Sequence, residues 1–156
     1  MRIAVLVFLL AACGGDGEVE TCEPENACTC SDGVARDTAC VCNGGSTCTI
    51  TGDSIEFSCG GNAACGLVCG TDCLITCPGT TTCTVDVGDD AEITCPGTAS
   101  CDVLCRADCT VDVAGNADAL VHCDAEDTGS TCTVTGCSPM SCGNGVYACS
   151  TGCPAL

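Results

Sequence analysis

The sequence predicts an all-β fold: a disulfide-laddered β-solenoid of about 18-residue, two-strand coils closed by cysteine-rich caps. Three observations predict it. The first is a repeat. Cys59, Cys65, Cys69 and Cys73 recur at the same spacing as Cys95, Cys101, Cys105 and Cys109. Half that distance separates Thr76-Cys77-Pro78-Gly79-Thr80 from its identical copy Thr94-Cys95-Pro96-Gly97-Thr98. The second is alternation. Short runs centred on Ile50, Phe57, Leu67, Ile75, Val85, Ile93, Val103, Val111, Val121 and Val134 are flanked mostly by Thr, Asp, Glu or Ser and separated by Gly-rich turns. Period-two alternation of β-branched residues is the half-buried strand pattern. The third is covariation across turns. Where one run ends in Cys the next begins with Cys; where runs end in Val87 or Val113, the next begin with Ala91 or Ala119. Runs start at Cys65, Cys73, Cys83, Ala91, Cys101, Cys109 and Ala119, so a shorter interval alternates with a longer one. That favours coils over the alternative, an antiparallel β-meander or sandwich, because odd and even turns then differ consistently. Two- and three-sided coils both remain open.

The covariation assigns disulfides. Facing inward positions beside a short turn lie within the Cα separation a bridge requires. The predicted pairs are Cys59–Cys65, Cys69–Cys73, Cys77–Cys83, Cys95–Cys101, Cys105–Cys109 and Cys123–Cys132. The same neighbour logic extends to Cys42–Cys48, Cys137–Cys142 and Cys149–Cys153. Cys22, Cys28, Cys30 and Cys40 are expected to pair among themselves in an order left open.

In chain order, residues 1–12 carry one Arg, an apolar run and the closing pair Ala11-Ala12, which is a secretory signal pattern. They lead into Leu10-Ala11-Ala12-Cys13. This stretch resembles the lipobox of bacterial lipoproteins. The resemblance implies lipidation of Cys13 after cleavage and a lipid-anchored destination at the outer membrane or cell surface. Gly14 stands where Asp is linked to inner-membrane retention. Residues 13–21 then read as a lipidated Gly-rich, acidic tether. Residues 22–46 read as an N-terminal cap whose Cys-x-Cys pairs break the strand rhythm. Residues 47–136 form the repeat domain, and 137–156 a second cap. Of 23 cysteines, 22 remain once Cys13 is set aside, and an exported chain meets an oxidising compartment.

Composition bounds the function. With two Phe, one Tyr and no Trp in 156 residues, bridges must replace the volume of a conventional core. A formal net charge of −18, with three basic residues, excludes the basic footprint that nucleic acid requires. Cations, basic proteins or glycans are the partners it favours.

Catalysis finds little to work with. The single histidine, His122, sits at an outward position, and its neighbour Cys123 is assigned to a bridge. The chain has no His-Glu-x-x-His, Gly-x-Ser-x-Gly or phosphate-loop pattern. The best cofactor candidate is calcium, at the turn carboxylates Asp72, Asp89, Asp90, Asp108 and Asp118, since calcium takes six to eight oxygen ligands. The coil period is similar to that of the calcium β-roll, but the Gly-Gly-x-Gly-x-Asp motif of that family is missing. Thr-Cys-Thr at 47–49, 82–84 and 131–133 resembles the insect antifreeze solenoids. Their coil is shorter than this one, and Glu56, Asp86, Glu92, Asp102 and Asp112 interrupt the outward Thr positions here. Cys-x-Cys at 28/30 and 40/42 is similar to metallothionein-type clusters, which need reduced thiolates. The expectation is therefore a non-enzymatic surface lipoprotein acting as a rigid structural or adhesive module. The alternatives are a calcium- or cation-dependent binding module and, more remotely, a thiolate metal protein.

Overall fold

The computed structural model describes residues 21–23, 28–32, 36–42, 44–124 and 131–154. The signal pattern, Cys13 and the tether up to residue 20 lie outside them. The described elements are all strands: β1 (Thr21–Glu23), β2 (Cys28–Asp32), β3 (Thr38–Cys42), β4 (Thr47–Gly52), β5 (Ile55–Cys59), β6 (Ala64–Thr71), β7 (Leu74–Thr76), β8 (Thr82–Asp89), β9 (Ala91–Cys95), β10 (Ser100–Cys105), β11 (Cys109–Val113), β12 (Asp118–Cys123), β13 (Cys132–Thr135), β14 (Met140–Gly143) and β15 (Val146–Cys149).

They form a β-solenoid of about five two-strand turns. The even-numbered strands β4 to β12 stack in one sheet, here the even sheet, which β1, β15 and β14 extend in the order β1-β4-β6-β8-β10-β12-β15-β14; the odd-numbered strands β3 to β13 stack in the other, the odd sheet, which β2 extends in the order β13-β11-β9-β7-β5-β3-β2. Coil neighbours are parallel, which rules out the meander, and two strands per coil make the coil two-sided. Thr82 lies beside Ser100, and Ser100 beside Asp118, so the middle of the stack keeps the period read from the sequence. The first coil is one residue shorter, with Thr47 beside Ala64. Cys109 lies beside Cys132, so the last coil is longer and absorbs its extra residues in the turn between β12 and β13.

Alternation places one residue in two inside. Nine of the ten expected strand centres are buried: Ile50, Phe57, Leu67, Ile75, Val85, Ile93, Val103, Val111 and Val121. Val134, in the last coil, is only partly buried. Fully burying an aliphatic side chain of this size stabilises by about 1.5–3 kcal/mol. The interior is thin enough that small residues line the inside of one turn column, where Ala63, Thr81, Ala99 and Ala117 recur once per coil, each about 1 % exposed. At that edge Gly61, Gly79, Gly97 and Gly115 stack with φ of 64°, 78°, 84° and 76°. Pro78-Gly79 and Pro96-Gly97 suit a turn that needs positive φ at its third residue.

Disulfides rivet both edges. At one edge Cys42–Cys48, Cys59–Cys65, Cys77–Cys83 and Cys95–Cys101 close four consecutive coils, with Cα separations of 6.1, 6.2, 6.5 and 6.7 Å. At the other, Cys69–Cys73, Cys105–Cys109 and Cys123–Cys132 provide the bridges. Val87 and Ala91 face each other in the gap between the first two of these. Cys30–Cys40 ties β2 to β3.

Two expectations need correction at the C-terminal end. The bridges are Cys137–Cys149 and Cys142–Cys153, not Cys137–Cys142 and Cys149–Cys153. Neighbour pairing assumes a chain that keeps coiling. Here β14 and β15 form an antiparallel hairpin, and β15 docks antiparallel on β12. The reversal moves sequence neighbours apart and brings Cys149 under Cys137. The N-terminal stretch also differs from its reading. β3 runs parallel to β5, so the stack begins one strand before Thr47. Cys40 and Cys42 are both buried, because Cys-x-Cys places two sulfurs on one face of a strand. β1 and β2 cap the first coil, each antiparallel to its neighbour.

Candidate functional site

The turns joining the even sheet to the odd sheet carry most of the described polar chemistry. Thr71-Asp72, Asp89-Asp90 and Ala107-Asp108 occupy equivalent places in successive coils. Ser54, Asp72 and Asp90, each one coil from the next, adopt φ of 50°, 57° and 53°. Asp tolerates this left-handed region because its short side chain bonds locally. The Asp90 amide donates to Asp89 Oδ1 at 3.1 Å, and the Thr71 amide donates to Asp53 Oδ1 at 2.9 Å. Backbone bonds join the coils here too: Ser54 N–H donates to Thr71 O and Asp72 N–H to Asp89 O, both at 2.9 Å.

This column brings together three of the five expected carboxylates. Asp72, Asp90 and Asp108, with Glu92, Thr110, Thr131 and Arg36, line an open depression of about 410 Å³. Arg36 reaches across two coils to Asp72, with Nε 2.9 Å from both its backbone oxygen and Oδ1. Asp108 accepts from the Thr131 amide and from Thr131 Oγ1. Those two hydrogen bonds hold its carboxyl below the usual carboxylate range, against a small opposing effect of desolvation. Asp89 adjoins the column. Asp118 does not belong to it: it opens β12 at the opposite edge, beside a second depression lined by Ser100, Asp102 and Leu120.

Lining one depression is weaker than forming a chelate. Among the described residues, the only groups of three acidic, His or Cys ligands with ligand atoms mutually within 4.8 Å are cysteine groups: Cys28, Cys42 and Cys48, and Cys105, Cys109 and Cys132. Cys42, Cys48, Cys105, Cys109 and Cys132 are bridged. A disulfide sulfur carries no thiolate charge, and thiolate is the soft-metal ligand.

His122 lies on the outer face of β12, about 39 % exposed, 3.6 Å from Asp102. Arg106 bridges the coils on the same face by donating through Nε and Nη2 to the two carboxylate oxygens of Asp86, each at 2.6 Å. This paired contact raises the guanidinium pKa further.

Sequence reasoning missed the roles of Arg36, Ser54 and Thr131. The signal for the first two is the coil period: Arg36 lies two periods before Asp72, and Ser54 lies one period before it. Thr131 sits across the longer last coil, where that period fails.

Together the fold and its edges define a class, a two-sided parallel β-solenoid with disulfide-riveted turns and one acidic turn column. No protein-family model, curated protein or solved structure matches this chain.

Proposed function

We propose that this protein is a non-enzymatic, lipid-anchored surface module that works as a rigid structural or adhesive element. The observation that carries the reading is the bridging of the coils. Seven of the turn bridges span four to nine residues each, and they close coil after coil along both edges. Short closures remove unfolded-chain entropy locally, so each coil resists opening independently. Such bridging suits an oxidising compartment, which the signal pattern and Leu10-Ala11-Ala12-Cys13 would reach. Attachment through Cys13 would leave the acidic rod beyond a short tether.

Metabolic labelling with an alkyne fatty acid tests this. The chain is expected to take up label and to fractionate with the membrane, and Cys13→Ser is expected to lose both. Label-free, soluble and thiol-rich protein overturns the reading. A second reading, cation-dependent binding, is favoured by the shared depression of Asp72, Asp90 and Asp108. Calcium titration by calorimetry tests it, with saturable binding lost in Asp72→Asn/Asp90→Asn as the expected result and no heat as the contrary one.

A further inference from the structure

We propose that the C-terminal end of the solenoid is a self-association surface, where two copies of this chain pair across a two-fold axis, β13 of each against β14 of the other. Four observations carry it.

The first is a step. Among the described residues, both sheets finish level at the N-terminal end, with β1 on β4 and β2 on β3. At the C-terminal end the even sheet continues past β12 through β15 and β14, while the odd sheet stops at β13. β13 and β15 share a layer, so β14 stands one strand beyond it. Among the described residues nothing pairs with the outer side of either β13 or β14. Unpaired strand edges are templates for pairing with another chain.

The second is self-complementarity. β12 and β14 run in one direction and β13 in the opposite one, since each coil crosses one sheet and returns on the other. A two-fold axis along the strand direction exchanges the two sheets and inverts the stack. It sets the projecting β14 of each copy into the step beside β13 of the other. The two pairings are identical, antiparallel and matched in length, since both strands have four residues. The Ser141/Gly143 bulge belongs to the pairing of β14 with β15. An isologous contact of this kind closes at two copies.

The third is the core. Val134 and Tyr147, in the layer that β13 and β15 share, are only partly buried, so apolar surface remains there for a second copy to cover. Met140, on the projecting strand, is 54 % exposed.

The fourth is charge. All 21 Asp and Glu lie at or before residue 127, and 128–156 contain no Asp, Glu, Lys, Arg or His. Like-charge repulsion opposes contact along the rest of the rod. The one stepped end is also the neutral end, without the charged side chains that usually guard sheet edges. On the lipid-anchored reading, and only on it, the pairing sets two tethers at opposite ends of a doubled rod and so joins two surfaces.

The test needs no lipid. The full chain carrying Cys13→Ser is purified oxidised and its mass followed by sedimentation equilibrium from about 1 to about 100 µM. The mass is expected to rise towards twice the 15.3 kDa of one chain and stop there. Hydrogen exchange is expected to show amides of β13 and β14 slowing with concentration. Thr133→Asp/Met140→Asp places carboxylates on both exposed strand faces and is expected to weaken pairing at least about tenfold. A near-zero free-thiol count shows that this variant is folded, and Thr133→Val/Met140→Leu should retain the dimer. A single-chain mass throughout, association beyond two copies, protection elsewhere, or a dimer indifferent to the added charges overturns the proposal. Absence of lipid labelling in the chain that keeps Cys13, with an intact Cys13→Ser dimer, would overturn the anchored reading alone.

Discussion

Filling the missing rung is the sharpest structural prediction. Val87 stacks in register between Cys69 and Cys105. Ala91 stacks beside Cys109, and its turn partner is Val87. The turns on either side are the same length, and their bridged Cα atoms are 6.5 and 6.3 Å apart. Val87→Cys/Ala91→Cys should therefore close a further bridge without moving the backbone. So short a closure contributes about 2 kcal/mol in the chain-entropy account. Replacing the buried Val87 side chain by a smaller one loses about 1 kcal/mol. The net gain is about 1 kcal/mol, which raises Tm by about 3 °C for a domain of this size. Thiol titration under denaturing, non-reducing conditions reads bridge formation, and calorimetry reads the shift. Two titratable thiols in the variant, or either new thiol joined to a cysteine outside the pair, would refute the reasoning that turn-flanking positions face each other.

Further predictions follow from single sites. Gly115→Ala should destabilise by at least about 1–2 kcal/mol, because φ is +76° and the added Cβ would lie 3.0 Å from Gly97 O, while Gly45→Ala, at φ +79° with open space around it, should cost only the backbone strain; denaturant melts compare them. Thr38 is 1 % exposed, and its Oγ1 has no partner among the described residues, so Thr38→Val should stabilise by about 1 kcal/mol in the same assay. Asp108 has a depressed carboxyl pKa, so the stability its hydrogen bonds to Thr131 confer is present above the ordinary Asp value and is lost as pH falls through the lower folded value. The Thr131 amide should lose its exchange protection on acidification in that window, relative to amides in β9, and Asp108→Asn should flatten the difference.

The central bridges were legible because each turn reports on itself: Cys faces Cys, Val87 faces Ala91, and Val113 faces Ala119. The same regularity carried the strand centres, since a two-sided coil buries alternate residues on every pass. Legibility ended where the coil ends. Cys137, Cys142, Cys149 and Cys153 sit around a reversed hairpin, and spacing along the chain holds no mark of that reversal. Cys40 and Cys42 misled for a different reason: adjacent-but-one cysteines look irregular until the strand beneath them is recognised. Among the turn carboxylates, period alone gathers Asp72, Asp90 and Asp108 and sends Asp118, about half a coil after Asp108, to the opposite edge. Period does not say whether stacked carboxylates converge on one point, because that depends on side-chain direction at φ values only the backbone reveals.

The most direct test of the riveted two-sided coil is disulfide mapping of the purified protein by non-reducing digestion and mass spectrometry. The account predicts Cys59–Cys65, Cys69–Cys73, Cys77–Cys83, Cys95–Cys101 and Cys105–Cys109 as local links, with Cys137–Cys149 and Cys142–Cys153 at the C-terminal end. Local links between Cys137 and Cys142 would contradict the hairpin cap, and Cys59 joined to a distant coil would contradict the solenoid itself.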